Sequence, residues 1–195
     1  VMLRKPLEMA GVPLYLNMIN SYEDVLKSID DFGRFAGKEK EAAAKREQIE
    51  KEYAALTQDV QKGRGPKVLI IFGSPDSFNM STKKSFGGDL AERLGAVNIA
   101  DKAENVKDSS YIPLSMEFVA KENPDIVMLI TMGGSKEILE KLRANMRDNA
   151  IWHDVNAVKN DRVYQLPPSL FTVNPGTHTI DAMKIMKEYM YGEAK

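Results

Sequence analysis

The sequence predicts an α/β fold, in which a three-layer domain with a mostly parallel central sheet follows a long N-terminal helix. Two apolar runs predict the sheet: Val68–Phe72 and Ile126–Ile130 are apolar at every position, as parallel strands are when helices cover both faces. After residue 63 the patterns of strand and helix alternate. Such alternation is typical of three-layer domains.

The first 62 residues predict one short strand and a long helical segment. Val12–Leu16 follow a glycine and predict a strand that needs a sheet to join. Residues 21–62 are predicted to be helical, because Ser21 is a favourable N-cap and apolar residues follow at spacings of three and four. Gly37 interrupts this segment. The second part, Lys38–Lys62, predicts a rod of about 37 Å that lies along a domain rather than in a coiled coil.

The remaining residues predict strands and helices in alternation. In chain order these are the strand Lys67–Phe72, the helix Phe86–Leu94 ended by Gly95, the short strand Val97–Ala100, a helix from the capping residue Ser115 to Glu122, the strand Ile126–Ile130, the helix Lys136–Arg143, the strand Arg162–Leu166 and the helix Thr177–Met190. The two most apolar strands are expected at the centre of the sheet.

Composition excludes several classes of protein. The 195 residues carry 27 Lys and Arg against 28 Asp and Glu, without the basic excess of nucleic-acid-binding proteins. No apolar run approaches 18 residues, so no membrane-spanning helix is predicted. The first residues show no signal-peptide pattern. The absence of cysteine excludes disulfides, thiolate metal sites and cysteine nucleophiles.

The sequence offers little catalytic chemistry. His153 and His178 have no second ligand at metal-binding spacing. Gly73-Ser74-Pro75 follows a strand but lacks the further glycines of a dinucleotide-binding loop. The sequence therefore predicts no catalytic residue, no resident metal and no catalytic cofactor, and it favours a binding protein over an enzyme.

Candidate binding residues follow from the sheet. Ligands of open α/β sheets bind beyond the carboxyl ends of the strands, which here carry the loops Gly73–Asp76, Thr131–Ser135 and Pro167–Phe171. These loops, with Met80 and two nearby lysines, present an apolar surface suited to a flat or greasy anionic ligand. The predicted ligand-binding residues are Ser74, Pro75, Phe78, Lys84, Tyr111, Met132, Gly133 and Phe171. The alternative is that these residues merely close the core.

Several segments resemble the iron-complex and cobalamin substrate-binding proteins of ABC importers. They occur in that family's order along nearly the whole chain and are Gly11-Val12-Pro13, Ser21–Asp24, Gly33–Glu39, Lys84–Leu90, Gly95–Ala100, Ser115–Glu117, Asn123–Ile126 and Ile151–Phe171. The resemblance implies two α/β lobes bridged by a long helix, with the ligand between them. Residues 1–20 would then be a remnant of the N-terminal lobe, 21–62 the bridging helix and 63–195 the C-terminal lobe.

The resemblance also implies a function. It predicts the solute-binding component of an importer for haem or a ferric siderophore, working with a permease and its ATPase. Its location would be extracytoplasmic, periplasmic or lipid-anchored. A flavodoxin-like or nucleotide-dependent enzyme domain is the alternative. The chain is expected to be a fragment. Because the strand Val12–Leu16 would lack its sheet, we also expect a homodimer formed through the N-terminal segment.

Two residues take specific roles from the resemblance. Met132 stands where haem-binding lipoproteins of Gram-positive bacteria carry a haem-ligating His, and a thioether can also ligate haem iron. Glu117 matches a surface Glu that meets an Arg of the permease, and the resemblance favours this role, although the helix dipole alone also explains a Glu in the first turn of a helix. Siderophore receptors of the resembled family often use several arginines in this cleft, and the cleft loops here contain none; the resemblance therefore disfavours citrate-type siderophores.

Overall fold

The computed structural model describes residues 3–104, 106, 108–172 and 175–192. The helices are α1 Arg4–Met9, α2 Tyr22–Ala36, α3 Glu39–Thr57, α4 Phe86–Arg93, α5 Met116–Glu122, α6 Lys136–Asp148, α7 Ala150–His153, α8 Asn156–Lys159, α9 Pro168–Phe171 and α10 Thr179–Tyr191. The strands are β1 Lys67–Gly73, β2 Phe78–Ser81, β3 Val97–Asn98, β4 Tyr111–Pro113, β5 Ile126–Thr131 and β6 Val163–Gln165. In this part of the chain, no helix is both long and apolar enough to cross a membrane.

The strands form one sheet in the order β4-β2-β1-β5-β6, and β3 pairs with the first two residues of β1. The pairs β1–β5, β5–β6 and β1–β3 are parallel, whereas β2 runs antiparallel to β1 and to β4. The predicted fold class, a mostly parallel sheet in an α/β domain, is confirmed.

Strands β2 and β4 were not predicted. Phe78 was predicted as a ligand-binding residue and Met80 as part of the apolar surface of the loops, but both lie in β2, and Met80 is 2% exposed in the core. Phe78–Ser81 alternates apolar and polar residues, as half-buried antiparallel strands do. A segment of four residues is too short for that alternation to be decisive.

Helices cover both faces of the sheet and create two apolar cores. On the first face, Ile70 and Ile130 belong to a cluster that α2, α3, α4 and α10 complete. On the second face, Ile71 and Leu129 pack in a cluster with Leu142 of α6 and with the fully buried Trp152. The three predicted layers are therefore present.

Residues 21–62 form two antiparallel helices, not one bridging helix. Gly37 ends α2 with φ 65°, a left-handed conformation that glycine adopts without strain. The chain then turns back, so that the rings of Tyr22 and Tyr53 stack with centroids 4.4 Å apart. Helix α3 has 19 residues, shorter than the predicted rod. The predicted interruption at Gly37 is confirmed, whereas the part of the predicted rod beyond Thr57 is not helical.

No strand forms at Val12–Leu16. The segment is exposed and runs beside α2, where the ring of Tyr15 lies 5.0 Å from that of Phe35. The Tyr15 hydroxyl donates a 2.5 Å hydrogen bond to Asp31. Hydrogen bonds from Lys27 and Tyr15 hold the pKa of this buried carboxyl well below its usual range. The prediction of a strand at Val12–Leu16 was wrong. The segment is apolar, but within the described residues no strand lies beside it to pair with it.

Candidate ligand-binding site

The carboxyl ends of the strands form one edge, as predicted. Gly73 at the end of β1 pairs with Thr131 at the end of β5, so the loops that follow start side by side. The backbone N–H of Leu166, directly after β6, donates to the carbonyl of Leu129, which brings the segment before α9 to the same edge. In open α/β sheets this edge is the usual place for a ligand.

The loop after β1 is a tight turn closed by hydrogen bonds between Ser74 and Ser77. The backbone N–H of Ser74 donates to the Ser77 carbonyl at 2.9 Å, and the Ser74 hydroxyl accepts from the Ser77 N–H at 3.1 Å. Ser74, Pro75 and Phe78 line a cavity of about 390 Å³, which Lys141 and Asn145 of α6 border. Phe78 packs against the second core cluster, so these three predicted residues lie together on the α6 side of the edge.

The loop after β5 places Met132 and Gly133 at the surface. Residues Met132–Gly134 form a 3-10 turn, and the Met132 side chain is 47% exposed. The turn packs on α9, because a Cβ on Gly134 would lie 2.8 Å from Cβ of Pro168. Phe171 of α9 is only 8% exposed and belongs to the first core cluster. For Phe171, the alternative that it closes the core therefore describes its position better.

Tyr111 and Lys84 lie near each other. Tyr111, on the edge strand β4, is 44% exposed, and its ring centroid is 5.1 Å from that of Phe72. The Lys84 carbonyl accepts a hydrogen bond from the hydroxyl of Ser110, the residue before Tyr111. The Lys84 ammonium lies 3.5 Å from Asp108, so its charge is partly matched. Burial raises the pKa of the Tyr111 hydroxyl.

The predicted residues therefore do not form one surface. Phe78 belongs with the second core cluster, whereas Phe72, which contacts Tyr111, packs against the first. Phe72 was not predicted as a site residue. The sequence feature that could have indicated Phe72 is its position as the last bulky residue of β1, because a large side chain at the carboxyl end of a strand reaches the edge of the sheet.

Glu117 is exposed in the first turn of α5, where the Ser115 hydroxyl accepts the N–H of Phe118 at 3.3 Å. Among the residues that the structure describes, its carboxylate has no hydrogen-bond or ion-pair partner. It is thus available to a cation of another molecule.

The two histidines have local partners. A ring nitrogen of His153 lies 3.0 Å from the Arg147 carbonyl, and one of His178 lies 3.0 Å from the Asp181 carboxylate. Asp181, the partner of His178, lies three residues further along the chain, in the first turn of α10. Across the described ranges, no group of three or more His, Asp or Glu side chains could hold a metal ion.

A model of the periplasmic binding protein family matches residues 10–170, so the chain belongs to this family. The high-affinity heme uptake system protein IsdE of Staphylococcus aureus is 29% identical over 192 residues, which cover 98% of this chain and 63% of that protein. The chain thus spans less than two thirds of the length of this relative. The resemblance inferred from the sequence motifs is confirmed.

Solved structures of similar fold agree with the assignment to this family. An ABC transporter substrate-binding protein from Listeria monocytogenes EGD-e is 26% identical, with a TM-score of 0.83 over 98% of this chain and 73% of the other. The structure of S. aureus IsdE complexed with heme is also 26% identical, with a TM-score of 0.82 over 97% and 72%. The fold is that of one lobe of a two-lobed, helix-linked binding protein.

Proposed function

We propose that this chain belongs to the solute-binding component of an ABC importer for an iron complex, haem or a ferric siderophore, and that it carries one side of the ligand site. The observation that supports this most is the exposed Met132 thioether, which directly follows the central strand β5 at the edge where ligands of such sheets bind. The similarity to a heme uptake protein along 98% of the chain adds to it.

In this proposal the ligand lies against the turn Met132–Gly134 and the ring of Tyr111. When the ligand is haem, the Met132 sulfur is a ligand of its iron, since thioethers bind haem iron in other proteins. Ser74 and Pro75 lie on the α6 side of the edge, and in this proposal they and the Lys84 side chain contact the ligand only at its periphery. Residues 63–195 form the lobe that carries the site, and the α2–α3 pair within residues 21–62 is the link between lobes.

The proposal includes a partner for Glu117. Its exposed, unpaired carboxylate meets an arginine of the membrane permease, which an ATPase drives, on the extracytoplasmic side of the membrane. A charge-assisted pair of this kind orients the two proteins. The protein itself catalyses no reaction and binds no nucleic acid.

Calorimetric titration of the chain tests the class of ligand. We expect haemin or a ferric hydroxamate siderophore to bind with saturation, and FMN and ATP to give no binding heat. Saturable binding of a nucleotide or flavin, with no response to either iron complex, would favour the flavodoxin-like enzyme domain and overturn the proposal.

The role of Met132 has its own test. Absorption spectra of the haemin complex, oxidised and reduced, should change in Met132→Ala, because an axial thioether shifts the haem bands. Met18→Ala is the matched control, since Met18 is 74% exposed in the N-terminal segment. Identical spectra for Met132→Ala and wild type would exclude the thioether as a ligand.

A further inference from the structure

Tyr111 and Phe72 form a pair of rings on one face of the sheet. Phe72 pairs with Asn79 of β2 and with Ile130 of β5, and Asn79 pairs in turn with Pro113 of β4. Residues paired in this way point to the same face, and Tyr111 shares the face of Pro113 because it lies two residues away. The ring contact of 5.1 Å and 42° agrees with this register.

This pair lies at the border of the helical layer. Helix α4 covers the neighbouring Ile130, since a Cβ on Gly87 would lie 3.4 Å from its Cδ1 atom. Phe72 is half-buried beneath this layer, whereas Tyr111 stays 44% exposed. The Tyr111 hydroxyl has no hydrogen-bond partner in the described part of the chain, so the ring is not held there by a polar contact.

Pairing with another strand does not account for the exposure of Tyr111. The Tyr111 carbonyl already accepts a 2.6 Å hydrogen bond from the Ser109 hydroxyl. Pro113, the next residue on the outer side of β4, has no N–H to donate. The free edge of β4 is therefore a poor template for an added strand. The part of Tyr111 that remains accessible to another molecule is its aromatic ring.

We infer that Tyr111, supported by Phe72, is a stacking platform for a planar conjugated macrocycle, and that the site recognises the ring independently of its metal. This inference rests on the proposed function and narrows it, because a ferric hydroxamate has no extended flat face to stack. Aromatic rings gain free energy from offset stacking beyond the area they bury. The Lys84 ammonium lies 3.5 Å from the carboxylate of Asp108, and the Lys84 carbonyl accepts the hydroxyl of Ser110, the residue before Tyr111; in this inference the ammonium meets an acidic substituent of the ring.

The test uses metal-free protoporphyrin IX, whose fluorescence reports binding without any iron ligand. Wild type should bind it, Tyr111→Phe should bind within about 2-fold of wild type, and Tyr111→Leu should bind about 3- to 10-fold more weakly. Tyr191→Leu is the matched control. Tyr191 is 48% exposed, but its hydroxyl donates to the Leu94 carbonyl near the amino ends of the strands, so its loss should leave binding unchanged.

The possible results separate the two proposals. Binding of a ferric hydroxamate but not of protoporphyrin IX would overturn the stacking platform and leave the proposed function standing. Equal affinity of Tyr111→Leu and wild type for protoporphyrin IX would also overturn it, provided that thermal unfolding shows both proteins folded. Failure of wild type to bind either an iron complex or protoporphyrin IX would overturn both.

Discussion

Replacing Arg93 by alanine should destabilise the junction between the helix pair and the α/β domain. Arg93, with a side chain 18% exposed, pairs with Asp89 at 2.8 Å and lies over the rings of Tyr22 and Tyr53 at 5.2 and 5.9 Å. It also pairs with Glu23, but that carboxylate is exposed and adds little.

The magnitude follows from these contacts. A hydrogen bond between charged groups contributes about 1.5–3 kcal/mol, and a cation over an aromatic ring contributes about 0.5–1 kcal/mol. We therefore expect Arg93→Ala to lower the free energy of unfolding by about 2–4 kcal/mol. Asp89, which also accepts the N–H of Tyr22 at 2.8 Å, remains largely buried without its cation.

The loss should depend on pH. Burial already raises the pKa of Asp89, and the guanidinium opposes that rise. Without Arg93 the folded-state pKa rises further above the unfolded value, so the protonated carboxyl favours the fold at low pH and this stabilisation is lost as pH rises. The deficit of the variant should thus be smaller at about pH 4 than at neutral pH.

Urea unfolding at both pH values, followed by circular dichroism, measures these differences. Arg147→Ala is the control, because the Arg147 side chain is exposed and pairs with its equally exposed neighbour Asp148. Its expected cost is below about 0.5 kcal/mol. An Arg93→Ala deficit as small as that of the control, or one that grows on acidification, would refute this account of the junction.

Three further predictions concern the helix pair, the partner surface and association. Gly33→Ala should cost about 1–3 kcal/mol in urea unfolding, because the new Cβ would overlap that of Ala42; adding Ala42→Gly should restore most of it, and an additive double variant would contradict the close packing. Glu117→Ala should leave ligand affinity unchanged and stability within about 1 kcal/mol, yet lower uptake in cells; wild-type uptake would make Glu117 an ordinary helix-end carboxylate. Light scattering should show a dimer, since Val12–Leu16 and Phe35 expose apolar surface; a strict monomer at high concentration would count against it.

Local and strongly periodic features could be predicted from the sequence. β1 and β5 were predicted correctly because both are apolar at every position, and the Ser21 and Ser115 caps because capping depends on residues three positions apart. The loops at the carboxyl edge could also be predicted, because each one begins where a predicted strand ends. The sequence therefore predicts that Met132 lies at this edge.

Features that depend on distant partners could not be predicted. The turn of α3 back onto α2 depends on the contact of Gly33 with Ala42, which lies beyond the break at Gly37. The faces to which Phe78 and Phe72 point depend on the register of β1 with β2. A one-residue shift of β2 would turn Phe78 to the face of Phe72, and nothing in the short segment of β2 alone fixes its register.

The central claim is that an iron complex binds at the carboxyl edge of the sheet, and paramagnetic broadening of backbone amide NMR signals tests it most directly. Ferric haem should broaden the signals of Ser74, Tyr111, Met132 and Gly133 first. The signals of Arg64, Gly65 and Lys187, which line a separate cavity of about 350 Å³ near the amino ends of the strands, should stay sharp. Broadening centred on that cavity, with the edge residues unaffected, would contradict the account.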